Sequence, residues 1–267
     1  MLFRSPWLSK PLARGTRPAL SDTLRRAVGA MAAEFRIGAN LSRSCREAMA
    51  NFLPQDLPQD LPQDDGQSIR LEPAQPQRRL VLLHGWGADA DDLLDLGTAL
   101  LAEDGQAGEV SLVALRAPEP HPGGFGRQWY DLQQPEWPGL AAARSNLRQR
   151  LQELSETVPL EHTAVLGFSQ GAAMAVDVIL GEGLPVAALI ACSGYPHPGW
   201  QAANPKASTM LTHGEQDPVV PVAASQAIED LVQRAGGQVQ RISFAGGHGI
   251  DPQLLPELRA FLAQNWS

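Results

Sequence analysis

Gly167-Phe168-Ser169-Gln170-Gly171 sets a serine between small residues where the apolar run Thr163 to Phe168 gives way to the helical stretch AAMAVDVIL. A sharp turn between a strand and a helix exposes the hydroxyl at the head of the helix, which marks Ser169 as a nucleophile. A serine hydroxyl attacks poorly at neutral pH, so it needs a base, and the base needs an acid to fix its tautomer. Both follow in the chain. His213-Gly214-Glu215-Gln216-Asp217-Pro218-Val219-Val220-Pro221 comes after the apolar run Thr209 to Thr212, and Gly246-Gly247-His248-Gly249 comes after Val239 to Phe244. The order Ser169, Asp217, His248, each just past a strand candidate, is the one an α/β-hydrolase uses. Glu215 is the rival acid, but Asp217 opens a proline-stiffened turn that holds a short carboxylate rigidly. His213 and His121 lack such a setting and read as strand-end or loop residues.

Acyl transfer also needs donors for the oxygen that becomes negative. The backbone N–H of Gln170 is one, and the loop His84-Gly85-Trp86-Gly87 after the run Leu80 to Leu83 offers the N–H of Trp86 as the second. His84 is expected to brace that loop. The indole of Trp86 and, from the long Pro- and Gly-rich segment Ala117 to Pro138, Trp129 are candidates to bound an acyl groove. Nothing in this constellation calls for a metal ion or a cofactor.

LHGWGAD (Leu83 to Asp89), GFSQGAAMA (Gly167 to Ala175), HGEQDPVVP (His213 to Pro221) and GGHGI (Gly246 to Ile250) resemble the small α/β-hydrolases of the carboxylesterase, acyl-protein thioesterase and lysophospholipase family, and Arg127 to Asp131 is similar to that family's Trp-Phe-Asp segment. The resemblance runs over roughly residues 68 to 267 and implies catalytic Ser169, Asp217 and His248 with oxyanion donors at Trp86 and Gln170. Trp86 and Ala88 stand where thioesterase members usually carry Leu and Asp, and the nucleophile turn ends in a single glycine. These departures weaken assignment to the protein thioesterases and leave the esterase reading intact. The expected activity is hydrolysis of carboxylic esters of short to medium acyl chains through an acyl-enzyme. Thioester or lysophospholipid cleavage is the alternative, and a hydrolase fold serving only as a ligand pocket is the reading from another class.

The elements that must position these residues alternate along the chain. The apolar runs Leu80 to Leu83, Val110 to Leu115, Thr163 to Phe168, Val186 to Cys192, Thr209 to Thr212 and Val239 to Phe244 are too short for helices and read as strands. Helical spacing appears between them at Leu93, Leu96 and Leu100, at Leu140, Leu147, Leu151 and Leu154, and from Ala224 to Ala235. Strand and helix in alternation imply parallel strands joined by crossover helices, with the ligand site beyond their carboxyl ends. The fold class is therefore α/β: a mostly parallel sheet with helices on both faces. Only Ser193 to Ser208 separates the last two strands before the acid, which leaves no room for a cap domain.

Composition limits the remaining possibilities. The 267 residues include 21 Lys and Arg against 29 Asp and Glu, a net charge of −8, and the longest apolar run, Val186 to Cys192, has seven residues. That is far short of the roughly 18 residues a membrane span needs. Nine of the basic residues and three of the acids fall in residues 1–52, so the rest of the chain carries −14 and would repel nucleic acid. A small-molecule or lipid ester is the expected partner. Cys45 and Cys192 are too few for a disulfide scaffold or a cysteine-rich zinc site. The expected organisation is a basic segment over 1–52, a linker over 53–67 built on LPQDLPQDLPQD, and a hydrolase domain over 68–267. A cytoplasmic location is expected, with organellar import the alternative because residues 1–52 are Arg-rich and acid-poor like a transit peptide.

Overall fold

The computed structural model describes residues 62–102 and 109–266. The expected basic segment and most of the expected linker lie outside the described residues. Among the described residues ten short strands and five α-helices follow one another: β1 Gln63–Asp64, β2 Ser68–Leu71, β3 Arg78–Leu83, α1 Leu94–Leu101, β4 Val110–Leu115, β5 Glu119–Pro120, β6 Arg127–Gln128, α2 Leu140–Leu154, β7 Thr163–Phe168, α3 Gln170–Ala175, β8 Ala188–Cys192, β9 Ser208–Gly214, α4 Ala223–Arg234, β10 Val239–Phe244 and α5 Leu255–Asn265. Eight of the strands form one sheet in the order β1-β2-β4-β3-β7-β8-β9-β10, and β5 and β6 form a separate hairpin. From β4 to β10 every neighbour is parallel, while β1 and β2 are antiparallel additions at one edge.

Strands of this kind must be apolar on both faces because helices cover both. Along β3, Val81 and Leu83 face one layer with Leu147, Leu151, Met174 and Ile228, the side of α2, α3 and α4. Leu80 and Leu82 face the other with Leu100, Leu258 and Phe261, the side of α1 and α5. That two-sided burial is why Leu80 to Leu83 has no polar alternate position. Helix α5 follows the same logic, with Leu258, Phe261 and Leu262 buried at helical spacing behind a proline in its first turn.

The register aligns the carboxyl ends. Leu83 pairs with Gly167, Phe168 with Cys192, Cys192 with Thr212, and Gly214 with Phe244. The loops leaving β3, β7, β8, β9 and β10 therefore emerge along one edge, and all the residues singled out for chemistry lie on them or on the β5–β6 hairpin segment.

Candidate active site

Ser169 occupies a backbone conformation with φ 52°, a left-handed value that costs a non-glycine residue of order 1 kcal/mol or more. The surroundings enforce it. The Ser169 N–H donates to the carbonyl of Cys192 at 2.9 Å, and a Cβ at Gly171 would lie 2.1 Å from the carbonyl oxygen of Leu83. The turn can therefore pack its backbone directly on the end of β3, leaving Ser169 at the head of α3.

The three residues placed in separate loops by the sequence meet. Ser169 Oγ lies 2.9 Å from Nε2 of His248, and Nδ1 of His248 lies 2.7 Å from Oδ2 of Asp217. The loops of Asp217 and His248 are zipped together: Glu215 N–H donates to Phe244 O and Gln216 N–H to Gly246 O, each at 2.9 Å. A Cβ at Gly214 would come within 2.2 Å of Gly247 O, so only glycine permits that approach. Glu215 is exposed, whereas the Asp217 side chain is fully buried. Asp217 Oδ1 accepts from the N–H groups of Val219 and Val220 at 2.8 and 2.9 Å. Burial raises the Asp217 carboxyl, but hydrogen bonds from His213 and His248 and from the Val220 N–H outweigh it and hold the group well below the usual carboxylate range. His213, expected as a strand-end residue, sits at the end of β9 with Nε2 at 2.9 Å from Val220 O and 3.4 Å from Asp217 Oδ2. Its approach to the Asp217 carboxylate has no local signature in the sequence.

The loop after β3 is pinned from below. Ala117 N–H donates to Nε2 of His84 at 3.1 Å, which leaves the ring proton on Nδ1 to donate to Gly85 O at 2.8 Å. Burial holds the imidazole neutral by lowering its pKa to about 4. Gly87 N–H donates to Arg127 O at 2.8 Å, and Ala88 N–H to Gly85 O at 3.3 Å. The N–H of Trp86 between them has no partner among the described residues. Gln170 is the first residue of α3, where a helix leaves its N–H groups unsatisfied. Its side chain spans to the β6 segment, with Oε1 accepting from Trp129 N–H at 3.0 Å and Nε2 donating to Tyr130 O at 2.8 Å.

Trp129 does not bound a groove, contrary to the expectation from its loop. It is 1 % exposed, and its indole N–H donates to His84 O at 2.9 Å. A ring closed to water cannot line a site for substrate; it bolts the segment after β6 under the loop after β3. Trp86 is 5 % exposed. Its indole N–H donates to Gln128 Oε1 at 2.8 Å, and it packs edge-on against His121. It therefore offers a substrate little surface and a rigid one. Within the segment 117–138, Ala117, His121 and Gln128 to Tyr130 are buried, and Phe125 is the one large apolar side chain of the described residues that is strongly exposed. Among the described residues no cluster of three or more potential metal-ligating side chains occurs, and no helix is long and apolar enough to cross a membrane.

A strained serine at a strand–helix turn, in contact with a histidine held by a buried carboxylate and set on a sheet with this strand order, defines an α/β-hydrolase. The chain belongs to the phospholipase/carboxylesterase family, whose model matches residues 65–266. It is 29 % identical to esterase YpfH of Escherichia coli (strain K12) over 196 residues, covering 67 % of this chain and 79 % of that protein. Acyl-protein thioesterase 1 of Saccharomyces cerevisiae is 26 % identical over 225 residues, covering 75 % of this chain and 97 % of the relative. The crystal structure of esterase PE8 superimposes with a TM-score of 0.65 at 30 % identity, covering 73 % of this chain and 97 % of that one. The protein is accordingly a hydrolase acting on ester bonds.

Proposed function

We propose that this chain cleaves carboxylic esters of short to medium acyl chains through a covalent acyl-serine. The observation that carries the reading is the unbroken hydrogen-bond line from Ser169 through His248 to Asp217. His248 Nε2 takes the Ser169 proton as Oγ attacks the carbonyl carbon, while ionised Asp217 keeps the other ring proton on Nδ1 and stabilises the imidazolium that forms. The N–H groups of Trp86 and Gln170 receive the developing oxyanion. His248 then protonates the departing alcohol, and a water molecule activated by the same ring hydrolyses the acyl-enzyme. No metal or cofactor takes part in this scheme.

The preference for short to medium chains rests on the rigid Trp86 indole, fixed by Gln128 and His121 in the loop that borders the oxyanion site. Each methylene a groove can bury adds about 0.8 kcal/mol until the groove is full. Across nitrophenyl esters of two to sixteen carbons, kcat/KM should peak well before sixteen, and Trp86→Leu should move the peak to longer chains. A wild-type maximum at sixteen carbons would sink the reading. The match over 97 % of a yeast protein named as a thioesterase supports thioesters as second substrates; rapid cleavage of a palmitoyl thioester would make them the principal ones. The mechanism itself is tested with a fluorophosphonate, which should label wild-type protein but not Ser169→Ala. The variant should lose at least about a thousandfold in kcat while keeping its fold.

A further inference from the structure

Four consecutive residues lie across the two elements that carry the proposed oxyanion donors. Arg127 pairs through its backbone with the loop after β3, its carbonyl accepting from Gly87 N–H at 2.8 Å and its N–H donating to Ala88 O at 2.7 Å. Gln128 Oε1 accepts from the Trp86 indole at 2.8 Å. Trp129 reaches both elements: its indole N–H donates to His84 O at 2.9 Å, and its backbone N–H donates to Gln170 Oε1 at 3.0 Å. Tyr130 O takes the other arm of the same amide, from Gln170 Nε2 at 2.8 Å. Gln128, Trp129 and Tyr130 are buried, where such bonds are stronger than in water. Residues 127–130 thus form a template that spaces the Trp86 loop from the head of α3.

The template has an anchor that the proposed mechanism leaves unused. The Tyr130 hydroxyl lies 2.8 Å from Nε2 of His197, and Nδ1 of His197 lies 2.5 Å from Oδ2 of Asp177. Asp177 falls in Val176–Leu180, a π-wound stretch that continues α3 without a break, about two turns beyond Gln170. The template is therefore fastened to one helix at two points, by Gln170 at its head and by Asp177 further along. His197 and Asp177 are buried, and Arg144 lies 3.1 Å from Asp177 Oδ1. Trp137 packs its ring 5.5 Å from that of Tyr130 and 5.9 Å from that of His197. The tie holds with the imidazole neutral or charged: Nδ1–H faces Asp177 in both states, and the phenol donates to Nε2 in one and accepts from it in the other. A side branch leaves the same hydroxyl, which lies 2.7 Å from that of Tyr195.

Oxyanion donors accelerate the reaction only when they are aimed at the place the oxygen occupies in the transition state. Slack between two donors therefore weakens transition-state binding and leaves binding of the ester itself nearly unchanged, so it lowers kcat and spares KM.

We infer that Tyr130, His197 and Asp177 are positioning residues: they tie residues 127–130 to the nucleophile helix and so fix the separation of the Trp86 and Gln170 N–H groups. The inference rests on the acyl-serine mechanism and the oxyanion donors proposed above.

The test uses the full chain. Tyr130→Phe removes the hydroxyl and keeps the ring; with nitrophenyl butyrate its kcat should fall about tenfold while KM stays within about twofold. The inhibition constant of hexyl trifluoromethyl ketone should rise by the same factor. Ser169 Oγ adds to the carbonyl carbon of this ketone, the hydroxyl proton passes to His248, and the carbonyl oxygen becomes an anion facing the same donors. Asp177→Asn, which alters the far end of the tie and leaves residues 127–130 intact, should weaken kcat and ketone binding together, and carries the test if Tyr130→Phe does not fold by circular dichroism. Tyr195→Phe removes the side branch without cutting the tie and should keep kcat within about twofold. A folded Tyr130→Phe protein of normal kcat would overturn the inference. So would a loss of kcat with ketone binding unchanged, a loss carried by KM alone, or an equal loss in Tyr195→Phe. Wild-type protein that bound the trifluoromethyl ketone no more tightly than hexyl methyl ketone would instead overturn the acyl-serine reading on which the inference stands.

Discussion

At the residue scale the proposed acid differs from its rival in burial and partners. Asp217 and Glu215 are two positions apart, yet Asp217 alone reaches the His248 ring, with its second oxygen satisfied by two backbone N–H groups. An amide at 217 would offer the ring an ambiguous donor–acceptor partner and allow the unreactive tautomer. Asp217→Asn is therefore expected to reduce kcat by about a thousandfold or more. Glu215→Gln, at an exposed position, should stay within about twofold. Comparison of kcat for the two variants checks this, and the opposite order would move the acid to Glu215.

His84 belongs to the same scale and gives a pH signature in stability. Its native pKa of about 4 lies below the ordinary 6.5, so the unfolded chain binds the extra proton first. The stabilisation is complete above pH 6.5 and is lost as pH falls toward 4, by about 3 kcal/mol over that window. Asp217, also held low, adds a loss of the same sign further into acid. Thermal melts from pH 7 to 4.5 should show Tm falling, with a shallower slope in His84→Gln. An identical slope in the variant would remove His84 as a source.

At the element scale the site depends on backbone packed directly on backbone. The nucleophile turn rests on the end of β3 at Gly171, where an added methyl group would meet the carbonyl oxygens of Leu83 and His84 at 2.1 and 2.6 Å. Neither obstacle is a side chain that can swing away. Gly171→Ala should therefore displace the loop bearing Trp86 and cut kcat by about a hundredfold or more, the scale on which an ångström of misplacement is felt. Kinetics combined with circular dichroism will separate this from global unfolding; a folded variant of normal kcat would show that the turn can shift without disturbing the oxyanion donors.

For the whole molecule, the edge of the sheet reaches into the proline-punctuated segment. Gln63 and Asp64 pair with β2, and Asp64 binds Arg116 at 2.9 Å. Arg116 also holds Asp89 at 2.7 Å, the residue that caps the 3-10 turn Ala90–Leu93 following the Trp86 loop. Removal of residues 1–61 should leave kcat/KM within about threefold, since the proposed site lies in the later residues. Extending the deletion through residue 67 removes β1 and the Asp64 contact, and should lower Tm by about 3 °C relative to the shorter deletion. Equal melting of the two truncations would show that the edge strand contributes nothing.

The sequence by itself determined the central strands, the crossover helices and the order of Ser169, Asp217 and His248, because each is written locally. A strand buried on both faces must be continuously apolar, and a sharp turn at its end needs small residues within a few positions. Three of the six strand readings, over Val110 to Leu115, Thr163 to Phe168 and Val239 to Phe244, agree with the structure to the residue. The others differ by one or two residues at their ends, where fraying and pairing decide the limit. Helix α5 carries the same kind of local pattern, with Leu258, Phe261 and Leu262 at helical spacing. The edge strand Ser68–Leu71 was not legible, since four residues with one partner carry too little pattern. Only the tertiary structure decided that Trp129 is a buried bolt, that His213 leans on the acid, and that Asp177, His197, Tyr130 and Tyr195 form one chain. Those contacts join residues from 4 to 67 positions apart. Hydrogen-bond partners across loops are chosen by where the sheet delivers each loop, and no local pattern in the sequence encodes that choice.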